Sequence, residues 1–239
     1  MQAAAPVRPV ERLGDPLRVA LGLLEADDVR ARGGDRVDDL REVDDVAAPR
    51  RGVARAPVAR HTGRVQPRVD TSDELRVVDA GRPLAFTFAD LMRYHGPGSP
   101  GGVAHAFKVM ERALPLLDPA GPVERRAVVV RTAFGGPGAR DAFEIVLRAV
   151  TEGRYMVDAA LARPERGRTL ERFVFRLAYG DEVATLAVRE GFVPDELIEL
   201  ARRERRTGAE ERRLDVVKRE VAERVMAAAA ADVYDAVVG

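Results

Sequence analysis

The chain contains no cysteine. That absence removes structural disulfides, thiolate metal sites, iron–sulfur clusters and cysteine nucleophiles from consideration. An excess of charge of either sign is lacking too, since 39 Lys and Arg balance 39 Asp and Glu. A balanced chain offers no electrostatic footprint for nucleic acid or an anionic membrane surface. No apolar run approaches the roughly 18 residues of a membrane span, and even Ala227 to Ala231 is short and flanked by charges. The N-terminus has neither the basic start nor the uninterrupted apolar core of a secretory signal. Also missing are a His-Glu-x-x-His pattern, a P-loop and a nucleophile elbow. The expectation is a cytoplasmic protein with neither nucleic acid nor membrane as partner.

What is present is ordinary globular composition, 46% apolar over 239 residues. That is enough for one domain of roughly 150 to 170 residues and an extension. Residues 1–70 hold no Phe, Tyr, Ile or Lys and are built mostly from Ala, Arg, Val, Asp, Gly and Pro. The one helical pattern there is Pro16 to Asp28, with Leu17, Leu21 and Leu24 on one face. Without large apolar side chains such a segment cannot offset its chain entropy, so it is expected to be disordered. The alternative is a misassigned start, with translation beginning near Val69.

The expected domain runs from 75 to 239. Thr87-Phe88-Ala89-Asp90 reads as a capping box that opens a short helix through Tyr94. Val103, Phe107, Met110, Leu114 and Leu117 then fall on one stripe of a second helix, which Pro119 and Gly121-Pro122 end. Arg126 to Arg131 is β-branched and predicts a buried strand. Gly135-Gly136-Pro137-Gly138 leads into a helix over Arg140 to Thr151, and Tyr155 to Val157 reads as a short strand. Phe173, Phe175, Leu177 and Tyr179 alternate with Val174, Arg176 and Ala178, and with the Gly180-Asp181 turn they predict a hairpin over Arg172 to Arg189. Pro194 starts another helix. A second capping box at Thr207 to Glu210 opens a long C-terminal one, expected to run Leu214–Val237. The pattern predicts an α+β domain with a small, largely antiparallel sheet packed with helices.

The chemistry-bearing residues cluster in Tyr94-His95-Gly96-Pro97-Gly98-Ser99-Pro100-Gly101-Gly102. A turn so rich in glycine lets backbone N–H groups approach a ligand and delivers them to a helix N-terminus. The candidate ligand-binding residues are His95, Gly96, Gly98, Ser99, Arg131, Gly138 and Asp141. His95 is a metal ligand or acid/base by its near-neutral reference pKa, or else a helix-end cap. Ser99 is a hydroxyl ligand or a helix N-cap. Asp141 is a site carboxylate or one placed by the helix dipole. Arg131 and Arg140, beside the two turns, are candidates for a small anion. His105, off the apolar stripe, and His61 are discounted, and Arg202 to Arg206 reads as a solvated face.

In this order of features the chain resembles the core domain of the FmdE family, which comprises a small component of formylmethanofuran dehydrogenase and its stand-alone relatives. That family's first motif is Phe-His-Gly-His-x-Cys-Pro-Gly ahead of a helix, where this chain has Tyr94 to Gly101. The second is a Cys, two residues and Asp-Ala at a helix start, where Gly138 to Ala142 keep Asp141-Ala142. An alternating hairpin follows, like Arg172 to Arg189. The acidic-Leu-Phe-acidic tail is echoed by Asp232 to Asp235. The likeness spans about Phe86 to Gly239. Ser99 and Gly138 replace the two motif cysteines, Pro97 replaces the second histidine, Ala149 stands where a further cysteine falls, and the zinc ribbon of some members is absent.

The resemblance implies a small-ligand-binding or accessory protein of the kind linked to molybdenum or tungsten enzymes. Its divalent metal, such as zinc, would be reduced to His95 as ligand. Two other classes stand beside it. One is an enzyme with His95 and Asp141 as acid/base pair. The other is a structural module forming a homodimer through the apolar stripe of the last helix.

Overall fold

The structure, a computed structural model, describes residues 74–239. The expectations for residues 1–70, including the Pro16–Asp28 helix, lie outside them. The described residues form an α+β fold with a two-stranded antiparallel sheet and a five-stranded mixed sheet.

A hairpin comes first, β1 (Glu74–Asp79) with β2 (Arg82–Thr87). Sequence patterning does not announce it. Its turn, Ala80-Gly81, has positive φ at both residues, as a tight hairpin turn needs, but Ala stands where Asn or Asp usually marks such a turn. Thr87 then caps α1 (Phe88–His95). Its hydroxyl accepts from Asp90 N–H, and the Asp90 carboxylate accepts from Thr87 N–H at 2.9 Å, so the predicted box is closed both ways.

α2 (Pro100–Leu117) is the central helix, packed between α3 (Pro137–Leu147), α6 (Gly208–Ala227) and the inner face of the larger sheet. From Val103 to Met110 every residue is buried, the off-stripe positions included. A helix covered on all sides has no polar face, so His105 and Lys108 are buried as well.

The larger sheet runs β4-β3-β5-β6-β7: β3 (Val129–Thr132), β4 (Tyr155–Val157), β5 (Val174–Tyr179), β6 (Glu182–Val188) and β7 (Tyr234–Val238). Only β3 and β4 pair in parallel. Phe175 and Leu177 of β5 lie opposite Leu186 and Ala184 of β6, and all four are buried. Short helices α4 (Gly167–Leu170), α5 (Asp195–Arg202) and α7 (Ala230–Val233) complete the set.

Three boundaries differ from the sequence expectation. The strand expected at Arg126 starts only at Val129, because Arg125 to Ala127 form a 3-10 turn. There Arg125 bonds the carbonyls of Val146 and Ile145, and Arg126 bonds Asp79. α3 stops at Leu147 rather than Thr151. The Glu144 carboxylate accepts the N–H groups of Val150 and Thr151 and turns the chain out of the helix. The last helix ends at Ala227, not Val237. Beyond it the β-branched Val237 and Val238 and the buried Tyr234 belong to an edge strand.

Candidate functional site

Two Pro-Gly helix starts meet in this fold. α2 begins Ser99-Pro100-Gly101-Gly102 and α3 begins Gly136-Pro137-Gly138-Ala139, each with proline at the first helical position, where the missing N–H costs nothing. Neither N-cap residue supplies a side-chain cap. The amides of Gly101, Gly102, Gly138 and Ala139 therefore have no acceptor within their own helices, and both dipoles present their positive ends. The glycines set the closeness of approach. A Cβ on Gly138 would lie 2.5 Å from the Ser99 carbonyl oxygen, and one on Gly102 would lie 3.3 Å from Ala139 N.

Beside these starts is a cavity of about 30 Å³, space for roughly two or three water molecules. Ser99, Gly101 and Gly102 from α2 and Gly136 and Gly138 from α3 supply its backbone wall, and Phe134, Phe173, Ile198 and Val221 make most of the rest apolar. Two further side chains complete it. Lys218 of α6 is 5% exposed; its Nζ donates to the Gly98 carbonyl at 3.2 Å and lies 3.7 Å from the solvent-facing Asp215 carboxylate. His105 of α2 is 2% exposed, its Nδ1 2.8 Å from the Tyr234 hydroxyl and its ring against Phe173. Burial pushes its pKa down from 6.5 to about 3, so the ring is neutral at pH 7. Its Nε2 is buried and has no partner.

His95 and Asp141 do come together. The last residue of α1 places Nδ1 2.8 Å from Oδ2 of Asp141 in the second turn of α3, with the histidine side chain only 8% exposed. Neither residue lines the cavity. The pair ties the C-terminal end of one helix to the second turn of the next. Gly96 has φ +81 and closes α1 by donating its N–H to the Met92 carbonyl, a conformation glycine adopts without strain. Gly98 contributes its carbonyl to Lys218. Ser99 sits at the N-cap position but caps nothing. Arg131 does not line the cavity: it is exposed on β3 opposite Arg176 of β5, and Arg140 is exposed too.

A metal does not fit these residues. Among the described residues no group of three or more His, Asp or Glu is placed to hold an ion, and His95 has only Nε2 left to offer. A zinc site needs three or four ligands.

Sequence reasoning passed over Lys218 and discounted His105. For Lys218 the signal was legible: it falls four residues after Leu214, on the buried stripe of α6 with Val217 and Val221. A wider hollow of about 290 Å³ lies at Arg168, Asp195, Glu199 and Arg202, but it carries both signs of charge equally, and Asp195 is held by the Thr169 hydroxyl. Nothing there selects a ligand. No family model matches the chain, and no curated protein matches it.

Proposed function

We propose that the chain is a small-ligand-binding protein of the accessory type represented by the FmdE family of formylmethanofuran dehydrogenase, with its ligand in the cavity at the starts of α2 and α3. One observation carries the reading. Ser99 and Gly138, the positions where that family's motifs have cysteine, line a single cavity together with the buried cation of Lys218. The residues that remain do not support a metal-based function, so ligand binding rests on backbone amides, Lys218 and an apolar wall. We take the protein to be cytoplasmic. The homodimer expected from the last helix would need another surface, because Leu214, Val217, Val221 and Val225 are buried within the chain, where α6 packs on α2.

A second reading, an enzyme with His95 and Asp141 as acid/base pair, draws support from their 2.8 Å contact. Against it, neither group opens onto the cavity, and each engages the other.

The test is thermal unfolding of the full chain across a panel of small anions, neutral solutes and amines at constant ionic strength, beside Lys218→Met. At least one anion should raise the wild-type midpoint and leave the variant's unchanged. A panel with no effect on the wild type beyond that of ionic strength overturns the reading.

A further inference from the structure

β7 ends the larger sheet and has β6 on one side only. Gly239 and Val183 exchange both backbone bonds, and Val233 accepts from Arg189 N–H, so the odd-numbered residues here face β6. By the antiparallel alternation, Tyr234, Ala236 and Val238 turn their N–H and C=O groups to the open edge. The Tyr234 N–H is taken by the Ala230 carbonyl in α7. Among the described residues Ala236 and Val238 have no partner there, so each keeps one donor and one acceptor.

Folded proteins usually blunt such edges. β2, an edge of the smaller sheet, carries Arg82 and Pro83, and β4, the other end of the larger sheet, is three residues long. β7 has neither proline nor lysine, and its one charge, Asp235, is held by Arg189 at 2.7 Å. Of the four large apolar side chains exposed among the described residues, two lie on it, Val237 at 69% and Val238 at 44%.

We infer that β7 pairs antiparallel with β7 of a second copy about a two-fold axis, joining two five-stranded sheets into one. This pairing goes beyond the proposed binding function and does not depend on it. It supplies the dimer surface that the last helix lacks. Two registers give equal numbers of backbone bonds. With Ala236 opposite the partner's Ala236, the exposed Val237 meets the partner's Asp235. With Ala236 opposite the partner's Val238, the two residues exchange both bonds and the axis repeats the pair. Val237 then meets the partner's Val237 in a non-hydrogen-bonded pair, where side chains approach closest, and Asp235 meets the partner's Gly239. The second register matches apolar to apolar and opposes no like charges, so it is the one inferred. Any extended segment could satisfy the backbone; a second copy also matches the side chains. A seam this short makes a weak, concentration-dependent dimer.

The chain has no cysteine, so one introduced thiol reports the seam. In the inferred register the two copies of residue 237 have Cβ atoms about 4.5–5.5 Å apart, within a small adjustment of a disulfide, while the two copies of residue 235 lie about 13 Å apart. In the full chain, Val237→Cys should cross-link to a dimer under oxidised glutathione and Asp235→Cys should not. Sedimentation of the wild type over a concentration series should show the apparent mass double and then stop. Val237→Lys alters an exposed side chain and should keep the wild-type unfolding midpoint in dilute solution, yet stay at the mass of one copy. Val237→Thr, which keeps the branched β-carbon, should still dimerise. A wild type that stays at one copy throughout, or a dimer that Val237→Lys leaves intact, overturns the inference. Growth past two copies overturns it as well, since β7 would then be meeting a different edge. Equal cross-linking from both cysteines overturns the register.

Discussion

Replacing Gly138 by alanine adds one methyl group where α2 and α3 start side by side. Its Cβ would lie 2.5 Å from the Ser99 carbonyl oxygen, 2.9 Å from Val103 N and 3.2 Å from Ser99 Cβ. The two nearest atoms are backbone in the first turn of α2, so no rotamer change relieves the contact. Ordinary contact begins near 3.4 Å, so the helix starts must separate by about 0.9 Å. Overpacking of this kind costs about 1–3 kcal/mol. Alanine recovers at most about 1 kcal/mol through helix propensity. The net expectation is a loss of about 1–2 kcal/mol, which for a domain of this size lowers the thermal midpoint by about 2–8 °C. Gly121→Ala is the control. Nothing lies within 4 Å of its Cβ and its φ is not positive, so it should stay within about 0.5 kcal/mol of wild type. Urea unfolding of both variants reads the difference directly. A Gly138→Ala midpoint equal to the control's, or above wild type, would refute the claim that this glycine is fixed by the approach of two backbones.

Two predictions concern the histidines. His105 has a folded pKa of about 3 against 6.5 unfolded, so its contribution to stability is full above pH 6.5 and is lost as pH falls towards 3. At pH 5 about 2 kcal/mol should be gone; His105→Leu should lack that part of the slope between pH 6.5 and 4.5, and parallel curves would count against it. Asp141→Ala leaves His95 Nδ1 buried without its partner and should cost about 1–3 kcal/mol, while Asp141→Ala in a His95→Phe background should cost much less, a coupling that additive losses would disprove.

The elements legible in sequence are those whose cause is local. Thr87 and Thr207 close their capping boxes within one turn, so residue identity suffices. The β5–β6 hairpin repeats its alternation long enough to fix both strands. What failed to read has distant causes. β3 begins late because Arg125 reaches carbonyls some twenty residues on, and the chain leaves α6 at Ala228 although its alanines favour helix, because Tyr234 is buried beside His105 and Phe175. At the site, His95 and Asp141 were legible as a pair, and the sequence likeness placed Ser99 and Gly138 together. The burial of Lys218 is legible from the α6 stripe, but the carbonyl it bonds lies 120 residues away, and no spacing rule joins them. His105 misled because an off-stripe position is solvent-facing only on a helix with a solvent face.

The glycines link packing to chemistry. Read in sequence, Gly98, Gly101, Gly102 and Gly138 look like a loop that wraps a ligand in backbone amides. In the fold, Gly138 acts first on packing, because only hydrogen at that position lets two helix starts touch, and Gly102 faces the same contact at 3.3 Å. That contact brings two positive dipole ends to one cavity beside a buried ammonium, and like partial charges repel. The Gly98 carbonyl and the exposed Asp215 carboxylate relieve Lys218 only in part, at 3.2 and 3.7 Å. A bound anion would neutralise what remains. A ligand acting in this way should stabilise the folded chain as well as occupy the cavity, so anion affinity and thermal midpoint should rise and fall together across variants of Lys218, Gly138 and His105.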